Sequence, residues 1–223
     1  MTGSPSTVAA FFDMDRTVVL CNTGRVYVQD MRSRGEIGFM QMLRLSTILF
    51  RYKLSMIDMN RVMVHAANAL EGQTEDFLEG RCEKIFDERV RQTVSSAAVE
   101  AIEGHRRLGH KVVLLSASTN YMVAPLCKLL NMDDFISTRL ETAEGKFTGD
   151  YVQPMCYGKG KIHWAREYAD EHLIDLPNSY FYTDSYSDLP MLMEVGNKRV
   201  VNPDPRLRLH ATIKRWPVLH FER

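Results

Sequence analysis

The sequence predicts an α/β fold, a doubly wound parallel sheet of Rossmann-like topology carrying an inserted all-helical segment. Three observations lead there. Short apolar runs bounded by turn residues recur at positions 8–12, 112–115 and 179–183, the pattern of strands buried on both faces. After residue 92 these runs alternate with helical patterns, which specifies right-handed crossovers covering both faces of a parallel sheet. Between residues 25 and 91 no strand signal occurs.

The first strand, 8–12, runs directly into Asp13-Met14-Asp15-Arg16-Thr17. Apolar residues 18–20 continue it before Cys21-Asn22-Thr23-Gly24 breaks the pattern as a turn or helix cap. In the next block Val26, Met31, Ile37, Met40, Leu43, Ile48, Leu54, Ile57, Val62, Phe77, Leu78, Ile85 and Phe86 recur at helical spacing. Gly35, Gly72 and Gly80 are its expected breaks, and Thr74, followed by Glu75 and Asp76, is an expected helix start.

Ser95 or Ser96 then caps a helix that Gly109 stops, and residues 111–116 form a buried strand. A helix over 120–130, a short strand at Phe135 and Ile136, and a hairpin around Glu144-Gly145-Lys146 follow. Next come a helix opened by Lys161, a strand at 179–183, an acidic loop at 184–188 and a short helix at 190–195. The last strand is 199–201, before a final helix. The helical block cannot be threaded into the sheet, so residues 23–91 form a cap packed over its carboxyl edge, above Asp13, and residues 1–22 with 92–223 form the core domain.

With 223 residues, 45% of them hydrophobic, the chain is long enough for one substantial core. Its 28 basic and 28 acidic residues balance, so the charge suggests no nucleic-acid partner. Cys21, Cys82, Cys127 and Cys156 form no C-x-x-C pair, which speaks against a disulfide framework or structural zinc and for a reducing, cytoplasmic setting. No run reaches transmembrane length, and no secretory signal precedes the first strand. The histidines, including His105, His110 and His163, lack metal-ligand spacing and read as surface or helix-end residues. Residues 37–54, with Arg44, Arg51 and Lys53, offer a surface for a membrane or a homodimer contact. The methionines of the helical block read as core filling.

Open α/β sheets bind ligands beyond the carboxyl ends of their strands, where Asp13 and Asp15 fall. Two carboxylates this close repel unless a cation lies between them, and a hard divalent ion with oxygen ligands supplies one. Three later loops add complementary groups. Ser116 ends a strand and can hold phosphate oxygens with backbone N–H groups at the next helix. Lys161 at a helix start offends the helix dipole unless an anion sits there. Asp184 and Asp188 supply further carboxylates. Each has a structural reading too: a cap for Ser116, solvated surface for Lys161, turn residues for the aspartates. Lys159 competes with Lys161 for the lysine role, though Lys161 has the better offset to the helix.

In this order the four motifs resemble the haloacid dehalogenase superfamily, over residues 8–203. The helical insertion, the hairpin at 145–150 and the Gly-x-x-Lys lead into Lys161 are similar to its phosphoserine-phosphatase-like branch. The resemblance implies a Mg²⁺-dependent phosphomonoester hydrolase acting on a small phosphorylated substrate through a phosphoaspartate. Asp13 would be the nucleophile, Asp15 the acid and base, and Lys161 a catalytic cation. Thr17, Ser116, Ala117 and Lys161 would meet the phosphate, with Thr17 also fixing the loop. Mg²⁺ would bind Asp13, Asp15 through its carbonyl, and Asp184, while Asp188 orients Lys161 or the metal's waters. A phosphotransferase or mutase on the same scaffold stays open, and a phosphate-sensing module fits less well. Phosphoserine phosphatases carry an acid shortly after the first motif for the substrate's ammonium group; residues 18–24 contain none, so phosphoserine is not the expected substrate.

Overall fold

The computed structural model describes residues 7–38 and 59–222. Met40, Leu43, Ile48, Leu54 and Ile57, together with the surface reading of Arg44, Arg51 and Lys53, lie outside them. Six parallel strands form one sheet in the order β3-β2-β1-β6-β7-β8. These are β1 (Ala9–Phe12), β2 (Lys111–Thr119), β3 (Asp134–Thr138), β6 (Tyr180–Thr183), β7 (Asn197–Val201) and β8 (Val218–Leu219). The hairpin β4 (Leu140–Ala143) and β5 (Lys146–Tyr151) stands apart as a second, antiparallel sheet. Its turn is made by Glu144 and Gly145, both at positive φ (51° and 73°), the two-residue hairpin geometry that suits a glycine.

Strand β2 and the far edge of the sheet differ most from expectation. Strand β2 runs on to Thr119, with a pairing irregularity against β3 between Leu115 and Thr119, so Ser116 sits inside the strand. The sheet also gains β8 after the final helix, and residues 197–201 are therefore not its edge. A two-residue strand leaves no periodicity to read.

Alternation along β1 sends Ala10 and Phe12 into one core layer and Ala9 and Phe11 into the other, all fully buried. The second layer is covered by α6 (Lys159–His172), α7 (Leu189–Glu194) and α8 (Pro205–Lys214). The first is covered by α4 (Ser96–Arg107), α5 (Asn120–Leu129) and the helices of the insertion. Those are α1 (Thr23–Ser33), α2 (Met59–Asn68) and α3 (Glu75–Ile85), the last running on through a π-turn, Phe86–Val90, and a 3₁₀ turn, Arg91–Thr93. Gly35 and Gly72 do break helices, at φ 75° and 77°. Gly80 does not: it lies inside α3, where Leu78, Cys82 and Ile85 are buried. The packing of that face outweighs the cost of one helical glycine, about 1 kcal/mol.

The insertion is not held by helix packing alone. Gly72 N–H donates to the Phe147 carbonyl at 2.9 Å and Phe147 N–H to that of Gln73 at 3.0 Å, so the core hairpin stitches itself to the α2–α3 turn. Where the chain leaves and re-enters the core, Leu20 N–H donates to Thr93 and Ser95 N–H to Val18, pairing the two linkers side by side.

His105 corrects the reading of the histidines. It lies in the last turn of α4, but buried, with Nε2 2.9 Å from the Tyr182 hydroxyl and Nδ1 2.8 Å from Nδ1 of His110. Burial, then the neighbouring His110, pushes its pKa down to about 4, so it is a neutral core residue at physiological pH.

Candidate active site

Strand β1 lies centrally, and the chain leaves it toward β2 on one side but leaves its other neighbour, β6, toward β7. The point between β1 and β6 is thus the topological switch point, where such sheets open a crevice. Phe12 pairs with both Leu114 and Tyr182, so the register brings Ser116 and Asp184 level with each other and one residue beyond the level of Asp13 at the carboxyl edge. Asp13 N–H still donates to the Tyr182 carbonyl, at 2.9 Å, which fixes where the loop departs.

The loop closes on itself by backbone bonds. Val18 and Val19 N–H groups both donate to the Met14 carbonyl, at 3.0 Å, and Arg16 N–H donates to that of Cys21. The Thr17 hydroxyl is buried and accepts or donates no hydrogen bond, so it does not fix the loop in the way expected. Arg16 holds a left-handed backbone, φ 58°, and projects exposed at the mouth of the cleft.

Lys161 is where local sequence does most. Helix α6 starts at Lys159 with Gly158 as its cap, at φ 54°, so Lys161 is the third helical residue and not the first. Gly160 is obligatory: a Cβ there would fall 1.8 Å from the Met155 carbonyl oxygen. That close approach lets the segment 154–157 tuck beneath the helix, where Cys156 N–H bonds Thr138 Oγ1, which itself donates to Ala117. Lys161 is consequently turned inward and buried at the cleft, whereas Lys159 is exposed.

The Lys161 ammonium donates to Asp13 Oδ1 at 2.6 Å and to Asp188 Oδ2 at 2.7 Å, and Thr183 Oγ1 donates to the same Asp188 oxygen at 2.7 Å. Burial pulls the Lys161 pKa down, but the two carboxylates outweigh it and hold it above its usual value. Burial pushes Asp13 up to about 7, a rise that Lys161 partly offsets. Asp184 is raised well above the ordinary carboxylate range by burial, then by Asp13 and Asp188. Asp15 is also raised by burial. Its Oδ2 accepts from Asn22 Nδ2 at 2.9 Å and its Oδ1 from Thr23 N–H at 3.0 Å. One cleft is lined by Asp13, Asp15, Ser116, Ala117, Lys161, Asp184 and Asp188, with Arg16, Asn22 and Tyr157. The expected residues thus converge, Thr17 beneath them. Missed in the sequence were the partners of Asp15, for which the cap position of Asn22 was the signal.

The model of haloacid dehalogenase-like hydrolases matches residues 10–193, the span that holds every one of these groups. The chain belongs to this family. A probable phosphatase of Mycobacterium tuberculosis is 33% identical to this hydrolase over all of its length and 78% of the relative's. A histidinol-phosphatase of Neisseria meningitidis is 28% identical over 96% of the hydrolase and 98% of the relative. Among solved structures, a phospho-aspartyl intermediate analogue of phosphoserine phosphatase has the same fold, with a TM-score of 0.70 at 19% identity, covering 98% of this chain and 94% of that one. The hydrolase is therefore an enzyme of the phosphatase-like branch, and no described helix is long and apolar enough to cross a membrane.

Proposed function

We propose that this hydrolase is a Mg²⁺-dependent phosphomonoesterase working through a phosphoaspartate. The observation that carries it is the buried Asp13–Lys161–Asp188 chain, in which the ammonium donates to one oxygen of Asp13, a residue that lines the cleft. Asp13 attacks phosphorus as the ester P–O bond breaks, and Asp15 gives its proton to the departing alcohol. Asp15 then takes a proton from the water that cleaves the phosphoaspartate. Burial raises Asp15, the direction a proton donor near neutrality needs. Lys161 and Ser116 stabilise the phosphoryl oxygens. Residues 23–91 act as the cap that covers the substrate, and the free thiols of Cys21, Cys82, Cys127 and Cys156 suit the cytoplasm.

The donor set fits magnesium. Among the described residues no three acid, histidine or cysteine side chains form a ready cage. Mg²⁺ needs none, since it keeps several waters and takes one or two carboxylates. Asp184 is buried and raised well above the carboxylate range, first by burial and then by Asp13 and Asp188, so a cation between these carboxylates would relieve their repulsion. Asp13, Asp184 and the Asp15 carbonyl would hold the ion. When bound, it neutralises phosphate oxygens so that an anionic nucleophile can approach.

Linkage gives a test apart from activity. Asp13 and Asp184 have raised folded-state pKa values, so in the metal-free protein their protonated forms contribute stability below the unfolded value, about 3.9. That contribution is lost as pH rises through about 7 for Asp13. Metal displaces those protons. Saturating Mg²⁺, about 100 times Kd, should raise Tm at pH 8 by roughly 5–10 °C, and less at pH 5.5, with EDTA reversing it. No shift at either pH overturns the metal site.

The substrate class is tested by phosphate release from a panel of phosphorylated amino acids, amino alcohols, sugars and nucleotides. Residues 18–24 offer no acid to a substrate ammonium group, so phosphoserine should not lead the panel. A phosphoserine kcat/KM tenfold above all others overturns that reading, and failure to release phosphate from any ester overturns the hydrolase proposal.

A further inference from the structure

We infer that Asn22 is a positioning residue for the proton donor: its one amide both caps the first helix of the insertion and clamps Asp15 for protonation of the leaving alcohol. This rests on the reading of Asp15 proposed above. Asn22 Oδ1 accepts from Arg25 N–H at 3.0 Å, capping α1, while Nδ2 donates to Asp15 Oδ2 at 2.9 Å. The two neighbours require this orientation of the amide, since one is a donor and the other an acceptor.

Capping alone does not call for an amide. Serine, threonine and aspartate cap as well as asparagine, but only asparagine offers a second, well-separated donor on the same rigid plane. Aspartate would set a charge against Asp15. With Thr23 N–H on Oδ1, the carboxyl is gripped at both oxygens. A carboxyl group has about four lone-pair sites, so each oxygen keeps one for the transferred proton. Thr23 Oγ1, 2.8 Å from Ser118 Oγ, joins this grip to the loop after Ser116, and Ser118 N–H bonds Ser116 Oγ at 3.2 Å. The start of the insertion, the proton donor and the phosphate-side serine are therefore one hydrogen-bonded unit. The clamp holds Asp15 in place while the ester P–O bond breaks, Asp13 bonds phosphorus and the Asp15 proton passes to the alkoxide oxygen.

Asn22→Ser separates the two jobs: its one short hydroxyl keeps the cap but lacks the separate amide N–H that reaches Asp15. A positioning role is selective for leaving group, because only poor leaving groups need full protonation. The experiment measures kcat/KM for aryl phosphates from p-nitrophenyl to phenyl and for alkyl phosphates, with Tm, in the wild type, Asn22→Ser and Asp15→Asn. We expect Asn22→Ser to lose about 10–100-fold on alkyl phosphates and no more than about threefold on p-nitrophenyl phosphate, with Tm preserved. Asp15→Asn should show the same bias more strongly. An equal loss on every ester, or none, in Asn22→Ser while Asp15→Asn keeps its bias overturns the positioning role alone. If Asp15→Asn itself shows no leaving-group bias, the reading of Asp15 fails and the inference falls with it. Should Asn22→Ser lose stability, Asn22→Gly serves as the second variant: glycine is tolerated at a helix N-cap, brings neither donor nor charge to Asp15, and must reproduce the bias.

Discussion

Asp13→Asn is expected to reduce turnover by about 10⁴-fold or more while the protein stays folded. The substitution keeps the side chain's shape, and its amide oxygen can still accept from Lys161, which retains Asp188 at 2.7 Å. What disappears is the anion that attacks phosphorus and half of the charge offered to a metal. The buried cluster of Asp13, Asp184 and Asp188 around one ammonium is over-supplied with carboxylates, so losing one leaves stability little changed in the absence of metal. Acid quenching during turnover should trap an acyl phosphate on the wild type and none on the variant. Circular dichroism checks the fold, and phosphate release checks the rate. Substantial turnover by Asp13→Asn would exclude a phosphoaspartate mechanism.

Lys161→Met should be both inactive and destabilised, by about 3–5 kcal/mol near pH 8, because it strands two buried carboxylates without their cation. The methionine fills nearly the same volume, so a cavity is not the cause. The pH dependence identifies the cause. Without the ammonium, the folded-state pKa of Asp13, already raised to about 7 by burial, rises further above the unfolded value of about 3.9. Such groups contribute stability while protonated and lose it as pH climbs through the folded value. The variant should therefore approach the wild type in urea unfolding at pH 5 and fall well below it at pH 8. Equal stability of the two proteins at pH 8 would mean that the Asp13–Lys161–Asp188 chain is not the buried unit described above.

The sequence was most informative where chemistry and secondary structure share a short stretch. Asp13 follows a short apolar run that reads as a buried strand, and Thr74 and Ser95 are followed by helix patterns whose first N–H groups they satisfy at Phe77 and Ala98. Choosing Lys161 over Lys159 was possible from the helix offset, although the helix starts two residues earlier than that offset assumed. The physical reason for the choice lies in Gly160 and the Met155 carbonyl, a contact across a loop that no local pattern reveals.

Strand order, register and burial belong to the tertiary structure. Local periodicity states that a segment is a strand but not which strand it pairs with, so the convergence of Asp13, Ser116 and Asp184 at one edge depended on β1 sitting between β2 and β6. His105 became a neutral core residue because Tyr182 and His110 come to it from other elements. The Thr17 hydroxyl, which the motif suggested would brace the loop, has no hydrogen-bond partner, and the turn is closed by backbone bonds. Asn22, legible as a helix cap, gained its second partner only when the loop folded Asp15 back against it, seven residues away in the chain. By itself the sequence determined the family, the α/β class and the identity of the acidic and cationic groups, since those depend on residue type and local order. The pairing of those groups, and hence their charge states, came from contacts between distant segments in a low-dielectric interior, where partner and burial together set each pKa.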